Sequence, residues 1–343
     1  MDMELLIKKN IVNGNVIDKI FKYITVLLVA ISFSCDDSFS PNSPIDNEYA
    51  LYCILNADST TQIAFLSHSY RVDGFDLYQN KTDPSLEGAD IKLTVNGGDV
   101  YKFIETSSER IDTTRYKTRL KYYLLDDIQL KDNDMVEITA DLKNGRVLKS
   151  TSNVPPISQL YFEKVTTEYF YQIINHKIVD IEFTWVVFGS PSRFPVKYFL
   201  PQLEIIYSKA DNPNRLLRVK VPKLYTSNNS IPVYPLPTNE KRAYFYYESV
   251  VKTLETISHG DPQKNNYIIH DAEFMLSYMD KYIASYSSAA TTFRDEFSLR
   301  IDAADYSNIQ DGLGLFGIYA SKKSKIHLAD LFVKSFGYRP ADD

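Results

Sequence analysis

The residues whose spacing comes nearest to a known chemistry are three glycines near the C-terminus, Gly312, Gly314 and Gly317, in "DGLGLFG". The pattern Gly-x-Gly-x-x-Gly cradles the pyrophosphate of a dinucleotide where a strand turns into a helix. Glycine lets the backbone approach the anion, and the helix N-terminus holds it. That context is missing: "YSNIQ" precedes, "IYASKKSKIHL" follows with strand character and no helix cap, and no acid stands where the ribose contact belongs. The glycines are instead expected to be structural, allowing close packing or unusual backbone angles where a loop enters a closing strand.

Other reactive residue types are scattered. His270 and Asp271 are adjacent, so in a strand they point to opposite faces and cannot form a dyad. His68, His176, His259 and His327 lie singly, without zinc spacing. "DGFD" (Asp73–Asp76) offers too few oxygens for calcium, and Asp126–Asp127 and Asp132–Asp134 have the character of turn acids. No Gly-x-Ser-x-Gly elbow and no HExxH is present. The expectation is a non-enzymatic protein with no metal and no cofactor.

The N-terminus carries an address. Lys8, Lys9, Lys19 and Lys22 precede "ITVLLVAISF" (Ile24–Phe33), ten residues without a charge. A spanning helix needs roughly 20 apolar residues, whereas a basic flank, a short apolar run and small residues make a secretory signal. Ser34 and Cys35 follow, as in a lipobox, whose cysteine thiol takes a diacylglycerol; Ser32 and Phe33 depart from the strict pattern. Residues 1–34 are read as a lipoprotein signal peptide and Cys35 as the lipidated (palmitate-bearing) residue. Residues 35–46, polar with two prolines, form a flexible tether. Asp36 and Asp37 resemble the acidic tract that marks surface-exported lipoproteins.

Residues 1–34 hold four lysines and three acids, so the remainder of the 343-residue chain carries −7 against −6 for the whole. An acidic surface without clustered cations argues against nucleic acid as a partner. With Cys35 lipidated, Cys53 has no disulfide partner, and its apolar setting in "ALYCILN" marks it as a buried small hydrophobe.

The elements that position these residues are mostly strands. Between 47 and 152, "EYALYCIL", "TQIAFLSHS", "ADIKLTV", "DVYKFIE", "TRLKYYL", "MVEITADL" and "RVLKSTS" read as short strands, with "NGG" and "KNG" as hairpin turns. They suggest an immunoglobulin-like β-sandwich. "NVPPIS" marks a linker at 153–159. Residues 160–343 are expected to form a second β-rich, α+β domain. Its strands are "DIEFTWVVF", "YFLPQLEIIYS" and "LLRVKVPKLY", and it has about two helices. One covers "RAYFYYESVVKTLETIS". The other covers "EFMLSYMDKYIASYSSA", with Met275, Met279 and Ile283 on one stripe and Tyr278, Tyr282 and Tyr286 on the next.

"NIQDGLGLFG" (Asn308–Gly317) resembles the closing signature, Asn-Ile-x-x-Gly-Leu-Gly-x-Phe-Gly, of a Bacteroidota outer-membrane lipoprotein family of unknown function. Gln310 and Asp311 stand where that family often has glycine. The likeness extends to the lipobox cysteine, "GADIKLTV", "NVPPIS" and the tyrosine-rich segment before the signature. It implies a lipid-anchored protein at the cell surface of the outer membrane, associated with TonB-dependent transport. It marks Asn308, Gly312, Gly314, Phe316 and Gly317 as a structural motif and carries over no catalytic residue. The alternative reading is a glycan- or peptide-binding surface module using exposed tyrosines such as Tyr244, Tyr246 or Tyr282.

Overall fold

The computed structural model describes residues 48–69, 81–165, 181–189, 197–226, 231–292 and 306–341. Cys35, Asp36, Asp37, the signal peptide, the tether, "DGFD" and His176 lie outside the described residues. Residues 47–343 form one compact unit. Strands in its first half are β1 (Tyr49–Asn56), β2 (Gln62–His68), β3 (Asp90–Val95), β4 (Asp99–Lys102), β5 (Ile104–Ser108), β6 (Leu120–Leu125), β7 (Met135–Asp141) and β8 (Val147–Asn153). Then come β9 (Leu160–Val165), β10 (Ile181–Val187), β11 (Tyr198–Lys209), β12 (Asn212–Val221), β13 (Leu224–Tyr225), β14 (Pro232–Val233) and β15 (Arg242–Phe245). The last are β16 (Tyr267–Met279), β17 (Leu313–Ile326) and β18 (Arg339–Pro340). Helices among the described residues are α1 (Tyr247–Thr256), α2 (Lys281–Thr292) and α3 (Asp330–Ser335). The fold is mainly β.

Local chemistry explains several connections. Asn96 and Gly97 both have positive φ, the conformation of a tight hairpin turn, and join β3 to β4. The β1–β2 hairpin is stapled by buried Gln62. Its amide nitrogen donates to the carbonyls of Asn56 and Ser59, and its oxygen accepts from the Asn56 N–H at 2.9 Å.

The largest sheet has nine strands in the order β12-β11-β16-β17-β1-β2-β6-β5, with β18 also on β16. The first strand thus pairs with the last long one: β1 and β17 run parallel, Leu51 opposite Gly314 and Ile54 opposite Gly317. A four-stranded sheet, β4-β3-β7-β8, packs on one face of the N-terminal strands. Leu51, Cys53, Leu66 and Tyr123 from the large sheet meet Ile91, Leu93, Ile138 and Leu148 in one core, which Phe316 and Ile318 also enter. The second core lies under the three-stranded sheet β15-β10-β9 and helix α1. There Phe183 stacks on Phe274, ring centroids 3.9 Å apart, beside fully buried Trp185.

One core joins residues up to Val154 with Ile309, Phe316 and Ile318, the other is built from Leu160 onward, and one sheet crosses both. The first half is therefore not a free-standing immunoglobulin sandwich, because the second edge of β1 is taken by β17. The second expected helix also differs. Residues Tyr267–Met279 are a strand and the helix begins only at Lys281, so Met275 and Tyr278 belong to β16. Pairing to β11 on one side and β17 on the other overrides the helical spacing. Likewise Ala243 lies in β15, and α1 begins after it.

Candidate functional site

The closing motif fastens the two sheets together. Asn308 folds back on its own chain: its Nδ2 donates to the carbonyl of Phe316 at 2.7 Å, and its Oδ1 accepts the Phe316 N–H at 2.9 Å. The backbone before it lies along β8. Gln310 and Lys149 exchange backbone hydrogen bonds, and Ser150 Oγ donates to the Asn308 carbonyl at 2.6 Å. At the three glycines of the next stretch a side chain has no room. A Cβ on Gly312 would stand 2.7 Å from both Leu148 Cδ2 and the Tyr49 carbonyl oxygen. On Gly314 it would stand 2.0 Å from the Leu51 carbonyl oxygen, and on Gly317 2.4 Å from Ile283 Cγ1. No helix opens at these glycines. Gly312 precedes β17 and Gly314 and Gly317 lie within it, which is not the geometry of a dinucleotide cradle.

Asn308→Asp puts an oxygen against the Phe316 carbonyl where an N–H₂ now donates. We expect a loss of about 1–2 kcal/mol at neutral pH, the cost of an unmet, partly buried hydrogen bond. Acid should return part of it, because a protonated carboxyl can donate as the amide does. Denaturant unfolding of wild type and variant at neutral and acid pH checks both statements.

Beneath the motif lies Asp280, a buried carboxylate between β16 and α2. Oδ1 accepts the N–H groups of Tyr282 (3.1 Å) and Ile283 (2.9 Å), capping α2. Oδ2 accepts from Ser152 Oγ on β8 and from the Ile318 N–H on β17, at 2.9 Å. Burial pushes the Asp280 carboxyl above its ordinary pKa, against the opposing pull of those four donors. Helix, closing strand and small sheet thus share one acceptor group. The aspartate just before a helical run was the available signal for this role.

The opposite face of the N-terminal strands is bare and apolar. Across β1, β2, β6 and β5, Ile54, Ile63, Leu124 and Ile104 make one row, and Tyr52, Phe65, Tyr122 and Thr106 the next. Tyr52, Ile54, Ile63 and Phe65 are each 41–46% exposed and Ile104 is 61% exposed. Phe65 and Tyr122 touch, ring centroids 6.2 Å apart. Tyr286 of α2 stands close enough to Tyr52 to raise its phenol pKa further, after burial has done most of the raising. Monomeric proteins seldom leave a contiguous apolar face of this kind uncovered. The unbroken apolar run "ALYCIL" was its sequence signal, since a strand with one wet face alternates.

On the C-terminal half the same face is charged. Lys220, Glu204, Glu273 and Lys325 stand in one row across β12, β11, β16 and β17. Arg218 bridges Glu204 at 3.3 Å and Glu273 at 2.6 Å, and Lys323 reaches Glu273 at 3.2 Å. Burial pushes the Glu273 carboxyl up, but Arg218 and Lys323 outweigh it and hold it below the usual range.

The remaining candidates do not converge. His270 shares a hydrogen bond with Ser208 Oγ, while Asp271 lies 3.7 Å from His327. Tyr244 on β15 donates to Glu182 Oε1, Tyr246 precedes α1, and Tyr282 lies on α2. Cys53 is buried and free, and burial raises its thiol pKa far above the ordinary value. Among the described residues no group of three or more His, Cys, Asp or Glu could hold a metal ion, and no helix is long and apolar enough to cross a membrane. Compared with known proteins, the chain matches no family model and no curated protein.

Proposed function

We propose that this chain is a non-enzymatic cell-envelope lipoprotein. A lipid on Cys35 holds it at the outer membrane, and it serves as an accessory component of a TonB-dependent transport or surface complex. The observation that carries the docking role is the exposed apolar face of β1, β2, β6 and β5. A row of Ile54, Ile63, Leu124 and Ile104 beside Tyr52, Phe65 and Tyr122 suits a protein surface that loses its water on contact. The likeness of Asn308–Gly317 to the outer-membrane lipoprotein signature supports the same address. The aromatic row favours a second reading, a glycan- or peptide-binding surface module, because tyrosine and phenylalanine rings suit sugar faces and extended peptides.

Two substitutions separate anchor from docking. Cys35→Ala should move the protein from the membrane to the soluble fraction of fractionated cells; full retention in membranes would remove the lipid anchor. Phe65→Glu, on an exposed position, should leave the protein in the membrane but lose a co-purifying β-barrel transporter by at least tenfold. Equal recovery of that transporter by wild type and variant would remove the docking role. Binding of soluble glycans, lost in Phe65→Glu with no barrel in either sample, would move the assignment to the second reading.

A further inference from the structure

At the edge of the large sheet, the ladder between β11 and its outer neighbour stops and restarts. β12 ends its pairing with Val221 opposite Leu203. Four residues away Thr238 takes over, exchanging two backbone hydrogen bonds with Phe199 at 2.7 and 2.8 Å. Between them stands Pro201, which has no N–H to give to a ladder. The chain therefore leaves the sheet after Val221 and makes the small β13–β14 hairpin. It then returns through the proline-rich stretch that holds Tyr234 and Pro235.

The detour leaves a pocket of about 410 Å³. That lies within the size range of small-molecule sites, which are mostly apolar with a few placed polar groups. Its walls are Leu200, Leu203, Val221 and the ring of Tyr234, and its polar groups are Gln202 and Lys220. Lys220 is exposed, and its side chain makes no hydrogen bond or ion pair among the described residues. Its cross-strand neighbour Glu204 is already engaged by Arg218. Arg218 is shared between Glu204 and Glu273, which leaves the Lys220 ammonium as the cation at the pocket that can receive an anion.

We infer that the pocket binds a small amphipathic carboxylate: an aliphatic or aryl tail between Leu200, Val221 and Tyr234, and a carboxylate on Lys220. The site is independent of the apolar face used for docking. A side chain or terminus of a peptide could present the same chemistry, but the pocket's size sets the recognised unit as one tail and one carboxylate.

The test uses residues 47–343, which hold both cores in one compact unit. Titration calorimetry with sodium octanoate and with 1-octanol compares the anion with a neutral group on the same tail. Octanoate should bind at least tenfold more tightly. Lys220→Ala should remove that advantage and leave octanol unchanged. Leu200→Trp fills the pocket and should abolish both; if it does not fold, the Lys220 variant decides alone. Equal binding of the two probes, no binding of either, or a preference that survives Lys220→Ala would overturn the assignment. So would octanoate binding that a folded Leu200→Trp leaves untouched.

Discussion

Gly314→Val is expected to unfold the protein. Gly314 has φ +120°, a backbone conformation that side chains rarely adopt, and a residue held there against its preference costs about 1–3 kcal/mol. Valine adds a worse problem. Its Cβ would lie 2.0 Å from the Leu51 carbonyl oxygen and 2.7 Å from that carbonyl carbon, both backbone atoms inside the paired strand. No rotamer relieves that contact; β1 and β17 must separate. Their pairing is the seam between the two halves of the sheet, so the loss should exceed about 4 kcal/mol, a large part of a typical stability of roughly 5–15 kcal/mol. Circular dichroism and thermal melting of residues 47–343 read the outcome. Leu313→Val, at an exposed neighbour, is the control and should melt near wild type. A Gly314→Val midpoint within a few degrees of wild type would show that close approach is not why glycine stands there. Millimolar NAD or ATP should leave the wild-type midpoint unmoved.

Asp280→Ala should cost about 4 kcal/mol. It strips the acceptor from three backbone N–H groups and one hydroxyl in a dry site, and each such orphan costs roughly 1–3 kcal/mol before relaxation. Asp280→Asn should cost less, because an amide oxygen can still cap α2, but its N–H₂ then faces the Ile318 N–H. The two variants also isolate a pH effect. The folded carboxyl titrates above its unfolded value, so between the two pKa values the folded state holds the extra proton. Wild-type stability from this group is then greatest below the unfolded pKa and falls as pH rises through the folded one. The advantage of wild type over Asp280→Asn should shrink across that window and then level off. Denaturant midpoints measured from acid to neutral pH give the curve; an advantage that grows with pH would refute the burial-dominated account.

The strands of the first half were legible in the sequence because several, such as "ADIKLTV", alternate, because "ALYCIL" is a short apolar run, and because "NGG" and "KNG" demand turns. What alternation cannot carry is partnership. Nothing in "LGLFGIYASKKSKI" says that it lies parallel to β1, some 260 residues earlier, so two domains were expected where one sheet runs through both. Glu273–Met279, the first part of the expected helix, was misread because Met275, Met279 and Ile283 fall at helical spacing, while a central strand buried on both faces keeps no period; from Lys281 on the segment is helical as expected. Gly312, Gly314 and Gly317 were expected to be structural because no helix follows them in the sequence, whereas Asn308 and Phe316 joined them only through the resemblance to the closing signature. Asp280 and Ser152, which complete that group, lie far from it in the chain.

The pairing of β1 with β17 also bears on how the chain becomes folded. Contacts between residues so distant in sequence close late, because the entropy of a very long loop is lost before they form. During synthesis, β1 waits with one open edge until nearly the whole chain has emerged. Its other face carries Tyr52 and Ile54, so the waiting strand is both unpaired and sticky, a state prone to association with other chains. A protein built this way would gain from a holding chaperone, and mutations that delay β17 would appear first as poor yield rather than as altered binding.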